Sequence, residues 1–258
     1  MNIILYFLFG HWFVSLFFHT FFLHRYATHH VMSMNRFWER VFYFLTWLTM
    51  GSSFLVPRAY AVMHRKHHEF SDTEKDPHSP HFFKDIFQMM MTTGKIYGNL
   101  CKDPIFYKSE FPDLYENKIP VWESLDRLGN NYTMRVIWGT LYTFLYIHCV
   151  FMLGANPLVF LLLPIHYFMG PIHGAIVNWY GHSDKYGYRN YQIHDHSKNM
   201  NPIVGLAMMG ETYQNNHHMF EENPNFGKKK WEIDPTYWIL LGMHYCGMIK
   251  LNKPKTVK

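Results

Sequence analysis

The chain has 258 residues, is 48% hydrophobic and 19% aromatic, carries only 17% charged residues, and has a formal net charge of +5. That is ample for one domain with a sizeable core, and well below the about 25% charge of an average soluble domain. The mild positive charge forms no basic stripe, which excludes a nucleic-acid surface. Cys101, Cys149 and Cys246 are scattered, which excludes a disulfide framework and an iron–sulfur site.

The first apolar run, Ile3–Leu23, spans about 31 Å as a helix, enough for a bilayer core. It has no basic n-region and no small-residue cleavage site, so it reads as a transmembrane helix and not a signal peptide. The run Phe37–Leu55 is shorter and carries Glu39, Arg40 and two serines. Val136–Leu153 and Pro157–Val177, separated by Gly154-Ala155-Asn156, form a helical hairpin, with Pro164 and Pro171 expected to kink its second arm. The connector Ser79–Asn131 belongs to a polar cap, and Met89-Met90-Met91 reads as core packing. The C-terminal segment around Asp234-Pro235-Thr236 reads as a capped amphipathic helix.

Nine of nineteen histidines fall into four clusters: His24, His29 and His30; His64, His67 and His68; His182; and His217 with His218. Neutral imidazole is the commonest metal ligand, and an all-nitrogen set fits a redox-active transition metal better than magnesium or calcium. In HRKHH the ligands stand at i, i+3 and i+4, one helical sector, so His64, His67 and His68 are expected on one centre. His24 and His29 are five apart, about 140° round an α-helix, so they reach different metals unless the helix loosens. QNNHH repeats the spacing with Gln214 first, and Asn178 and His182 share a face. Isolated histidines such as His11, His19, His166 and His173 read as packed side chains.

For these clusters to meet on one side, the hairpin must leave and return, and Phe37–Leu55 must lie in the interface or re-enter. Arg25, Arg36, Arg58, Arg65, Lys66, Arg127, Arg135 and Lys228–Lys230 flank the cluster side, whereas the Gly154–Asn156 turn carries no Lys or Arg. The positive-inside rule then puts the clusters in the cytoplasm. The expected architecture is an all-α integral membrane protein forming one domain over 1–258. It has spans at 3–23, 136–153 and 157–177, at most one more, an interfacial or re-entrant segment at 37–55, and a cap from 56–131 and 178–258.

The succession HRYATH, HRKHHEFSDTEKDPHSP, NWYGH and GETYQNNHH resembles membrane fatty-acid desaturases, nearest the stearoyl-CoA (acyl-CoA delta-9) branch, over roughly residues 10 to 251. The resemblance implies a di-iron centre between a helix bundle and a cytoplasmic cap, at the bacterial inner membrane or endoplasmic reticulum. The implied iron ligands are His24, His29, His64, His67, His68, His182, His217 and His218, with Asn178 acting through a water. Two departures stand out: Gln214 occupies a position where the branch carries histidine, and the branch has a helix before the first-box helix. Gln214 is a candidate weak ligand, and Asp72, Glu74, Asp76 and Asp195 are candidates to orient imidazoles.

The implied reaction is oxygen-dependent formation of a double bond in a saturated acyl chain carried on coenzyme A, acyl-carrier protein or a lipid. The chain has no haem-binding HPGG, iron–sulfur cysteines or GxGxxG loop, so electrons come from a cytochrome b5, ferredoxin or rubredoxin. Two alternatives use the same residues: a di-iron hydroxylase, and a metal transporter. Transport sites lie within spans near the midplane, whereas these clusters sit at helix ends.

Overall fold

The computed structural model describes residues 2–102 and 119–253. The stretch 103–118 of the expected cap connector lies outside the described residues. The described elements are almost all helical. A two-stranded antiparallel ribbon pairs β1 (Met32–Ser33) with β2 (Lys250–Leu251), tying the C-terminal segment to the loop after the first helix.

Helix α1 (Asn2–Phe18) passes without a break into a π-helical stretch, His19–Thr28. Together Ile3–Thr28 is long and apolar enough to cross a membrane, longer than the 3–23 read from hydropathy. Asn35 then caps α2 (Arg36–Met50), its side chain accepting from Trp38 N at 3.0 Å, a contact worth about 1 kcal/mol. Helix α2 runs back along α1 until Thr49 O meets His11 Nε2 at 3.1 Å, about three and a half turns before His24. The chain reverses at Gly51, whose φ of +54° favours glycine and whose absent Cβ leaves room for the Tyr142 hydroxyl. Helix α3 (Pro57–Glu69) returns beside the π-helical stretch and carries the second histidine cluster. The expected segment 37–55 is therefore the descending arm and turn of a helical hairpin that ends partway along α1.

Helix α4 (Ile86–Lys102) follows a 3-10 turn, Pro80–Phe82. Of Met89, Met90 and Met91 only Met89 is buried and Met91 is exposed, so the methionine run is core packing at one position alone. After α5 (Glu123–Gly129), Asn131 caps α6 (Tyr132–Phe151), the second helix of membrane-crossing length and hydropathy. Val136, Leu141, Phe144, Ile147 and Phe151 lie exposed along α6, as on a helix whose outer face meets lipid.

The second hairpin arm is broken. A 3-10 stretch (Pro157–Leu162) leads into α7 (Leu163–Tyr167), and α8 (Met169–Ala175) continues as a π-helical stretch, Ile176–Tyr180. The two halves bend by 68°, giving up to three candidate spans. Pro171 explains the break. It has no N–H to donate to the carbonyl four residues back, Tyr167 O, and the Ser52 hydroxyl donates there at 3.0 Å.

Helices α9 (Pro202–Ala207), α10 (Gln214–Met219) and α11 (Pro235–Tyr245) complete the fold. Asp234 caps α11 as its sequence predicts, accepting from Tyr237 N at 3.1 Å. The helix is not amphipathic, however: Trp238, Ile239 and Tyr245 are exposed while Leu240 is buried, so apolar residues occupy both faces. The main core joins Phe21, Phe22 and Leu23 of the first helix to Tyr43 and Met50 of α2 and Phe54 after it.

Candidate metal centre

The π-helical stretch resolves the five-residue spacing of His24 and His29. An α-helix would aim them about 140° apart. Here the His29 amide bonds back to His24 O, five residues earlier, at 3.2 Å, and the wider turn brings both rings to one side. Their ring centroids are 5.0 Å apart.

The eight histidines expected as ligands divide into two groups. Ligand atoms of His24, His29, His64, His68 and His217 lie within 4.8 Å of one another, and so do those of His67, His182 and His218. The expectation that His64, His67 and His68 meet on one centre is corrected. Adjacent residues on a helix diverge by about 100°, so His67 and His68 face opposite groups. His217 and His218 divide in the same way on α10.

In the five-histidine group, four Nε2 atoms form a closed ring of contacts. His24 to His64 is 2.9 Å, His64 to His68 is 3.1 Å, His68 to His217 is 3.0 Å, and His217 to His24 is 2.9 Å. Hydrogen bonds do not account for this ring. His24 Nδ1 faces Glu211 Oε2 at 2.6 Å and holds its proton there, so Nε2 has one in-plane lone pair facing two neighbours. Lone pairs converging on one cation need no protons between them. A square with edges near 3.0 Å has its centre about 2.1 Å from each corner, a normal metal–imidazole distance. The Nε2 of His29 is buried and has no hydrogen-bond partner, which leaves it free as a fifth donor.

The three-histidine group is built more regularly. His67 Nδ1 meets Asp76 at 2.9 Å, His182 Nδ1 meets Asp72 at 2.9 Å, and His218 Nδ1 meets Asp195 at 2.7 Å. Each carboxylate fixes the tautomer, and all three Nε2 atoms are buried without a partner. The donor set therefore fits a transition metal in both groups.

Of the carboxylates expected to orient imidazoles, Asp72, Asp76 and Asp195 do so. Glu74 does not: the Asp72 backbone, at φ +57°, turns the next residues outward and Glu74 is exposed. Sequence reasoning missed Glu211, buried and also bonded to the Thr20 hydroxyl, and Glu221, 3.1 Å from His68 Nδ1. Both lie within four residues of the last histidine box, an acidic flank that was legible. Arg25, fully buried, donates to Thr20 Oγ1 at 2.8 Å and pairs with Asp234 at 2.7 Å, bracing the Glu211 side.

Electrostatics keep most of these rings neutral. Burial first, then the neighbouring imidazoles, hold His29, His64, His67 and His217 well below the usual histidine range. His218 is lowered to about 4 by burial and by His68, against the opposing pull of Asp195. For His182, burial acts downward, but Asp72, Asp195 and Asp76 together outweigh it and raise its pKa. Glu211 is held at about 2: burial opposes its ionisation, and His24 and Arg25 more than offset this.

Gln214 is buried one turn before His218, with Gly181 packed on its Cγ, and its Nε2 donates to Glu211 O at 2.5 Å. His30 leaves the group, its Nε2 facing Arg65 at 2.9 Å. Asn178 lies on the wall of a cavity of about 350 Å³ that reaches the five-histidine group at His24, His64 and Glu211. Most of the wall is apolar, with Leu16, Tyr60, Met63, Met90, Tyr97, Phe168 and Val177 contributing. His78 also lines it, with both ring nitrogens buried and unpartnered and its ring 4.4 Å from that of His67.

The family model for fatty acid desaturase matches residues 1–238. The hex-5-enoyl-[acyl-carrier protein] acetylenase of Moorena producens (strain JHB) is 26% identical over 97% of this chain and 77% of its own length. The acyl-CoA 5-desaturase AL21 of Anemone leveillei is 27% identical over 87% of this chain and 64% of its own length. The sn-1 stearoyl-lipid 9-desaturase of Synechocystis sp. is 25% identical, over 88% and 64% respectively. The chain thus spans about two thirds of the length of the latter two. With the histidine groups and apolar helices described above, the match to residues 1–238 decides the assignment: the chain belongs to the fatty acid desaturase family.

Proposed function

We propose that the protein is an oxygen-dependent fatty acyl desaturase that forms a cis double bond, at position 9, in a saturated chain carried on coenzyme A, acyl-carrier protein or a lipid. The observation that carries this reading is the apolar cavity that ends at His24 and His64 of the five-histidine group, with the three-histidine group packed against that group through His67 and His68. In this reading His24, His29, His64, His68 and His217 hold one iron and His67, His182 and His218 the other, with Asn178 acting through a water.

Desaturation removes two hydrogens from a pair of unactivated methylenes, which no side chain achieves unaided. Bound iron supplies the reductive activation of oxygen that this chemistry requires. The overall balance takes one saturated chain, one O2, two electrons and two protons to one unsaturated chain and two waters. The residues of this chain perform the remaining work. Leu16, Tyr60, Met63 and Tyr97 hold the acyl chain and exclude water. Asp72, Asp76, Asp195 and Glu211 keep each Nδ1 protonated, which fixes the lone pair at Nε2. Electrons come from a separate carrier, a cytochrome b5, ferredoxin or rubredoxin, docking near the basic residues around the centre.

The membrane placement follows the same reading. The first helix and α6 cross the bilayer, the bent α7–α8 pair forms a third span, and the α2–α3 hairpin re-enters from the cytoplasmic side, where the metal centre lies. The relatives are named for positions 5 and 9 and for a triple bond, so bond position depends on how deep the cavity holds the chain. Expression in a desaturase-deficient host tests the proposal: new monounsaturated chains appear with the intact protein and are absent with His67→Ala. Chains that gain an oxygen atom instead establish hydroxylation.

A further inference from the structure

A second cluster of ligating side chains lies at the surface, beside the three-histidine group. It joins His81 from the 3-10 turn Pro80–Phe82, Asp184 two residues beyond His182, and His196 from the loop that follows. One ligand atom from each lies within 4.8 Å of the other two, and all three residues are exposed.

The protons on these rings are informative. His81 Nε2 donates to the His182 carbonyl at 2.9 Å. A neutral ring whose proton is used there has only a lone pair at Nδ1, and this nitrogen faces Asp184 Oδ2 at 3.9 Å. That separation is too long for a hydrogen bond, so no protein donor joins the two lone pairs, and they stand at a spacing a shared cation fills. Two ligands each about 2.0–2.2 Å from a shared ion stand about 3–4 Å apart. The other carboxylate oxygen is 2.9 Å from His196 Nδ1, and the two imidazole rings are tilted at 44° to each other with centroids 4.2 Å apart. The carboxylate thus bonds His196 and turns its second oxygen toward His81, and water has free access to complete a coordination shell.

We propose that His81, Asp184 and His196 form a surface metal site for a late first-row divalent cation such as Zn2+, separate from the buried histidine centre. Two nitrogens and one carboxylate oxygen select such an ion over magnesium or calcium, which prefer all-oxygen shells. The position gives the site a consequence for its neighbour. The His196 amide donates to Asp72 Oδ2 at 2.8 Å, and the same oxygen accepts from His182 Nδ1. His81 holds the His182 carbonyl. An ion here therefore fastens together the three segments that position His182 and restrains that ring from outside.

Calorimetric titration of the purified, iron-loaded full chain with Zn2+ alone tests the site, with iron measured in the same samples. Wild type binds one Zn2+ per chain, and Asp184→Asn and His196→Ala each weaken that binding at least tenfold with iron content unchanged. Both substitutions lie on exposed side chains outside the buried centre, and His196→Ala leaves the backbone bond to Asp72 in place. Zinc binding that is absent in wild type, equal in all three proteins, or matched by an equal loss of iron overturns the proposal. None of these readings depends on desaturation, so the result stands apart from the proposed activity.

Discussion

Glu211→Gln isolates one charge beside the five-histidine group. The carboxylate accepts from His24 Nδ1 at 2.6 Å and from the Thr20 hydroxyl, inside a fully buried pocket. Gln has the same shape. Its oxygen still accepts from His24 when its NH2 turns toward Thr20, whose hydroxyl oxygen has a second lone pair. Packing and the bond from His24 are thereby retained, the contact with Thr20 reverses direction, and the negative charge is lost. Removing such an orienting group lowers metal affinity about 10–100-fold, or about 1.4–2.7 kcal/mol at 1.36 kcal/mol per tenfold. Glu211→Ala goes further, leaving the His24 N–H and Thr20 hydroxyl buried and unpaired at about 1–3 kcal/mol each. The assay is iron retention by purified protein against a graded chelator, with thermal unfolding measured alongside. Wild-type iron affinity in Glu211→Gln refutes the reasoning, because the carboxylate then has no hold on the ligand.

His218, held at about 4 by burial, binds its proton less readily folded than unfolded. Its contribution to the stability of iron-free protein is therefore complete above the ordinary imidazole value, about 6.5, and is lost as pH falls toward 4. Unfolding midpoints that do not change across that window count against it. Gln214→His restores an imidazole one turn from His218 and raises iron retention, whereas Gln214→Ala lowers turnover more than iron content; full turnover in the alanine variant removes Gln214 from any role. A cysteine at Asn156 reacts with an impermeant reagent outside intact cells and one at Lys229 does not, and the reverse pattern overturns the cytoplasmic placement.

The eight ring positions were legible because imidazoles at helical spacing leave a pattern that survives without tertiary information. Their division between two groups was misread: the shared sector of His64, His67 and His68 suggested one centre, whereas the 100° step from His67 to His68, and from His217 to His218, sends neighbouring rings to different groups. The π-helical turn was legible only as a conflict: His24 and His29 could not share a centre on a regular helix. Glu211 and Glu221 were legible only as an acidic flank of the last histidine box, because their ring partners His24 and His68 are distant in sequence, and Ser52 carried no signal because it acts on a backbone carbonyl. Glu74 failed for the opposite reason. Its place in an acidic run matched Asp72 and Asp76, but a single left-handed residue turned it to solvent. The C-terminal helix was misread because its apolar residues cover both faces and follow no helical stripe.

The most direct test of the central claim is the mass of acyl chains recovered from a desaturase-deficient host expressing the chain with an electron carrier. Chains two hydrogens lighter, with none gaining oxygen and none formed by the His67→Ala variant, are the predicted result. Chains unchanged in mass despite two bound irons per protein, or chains heavier by one oxygen, contradict the account.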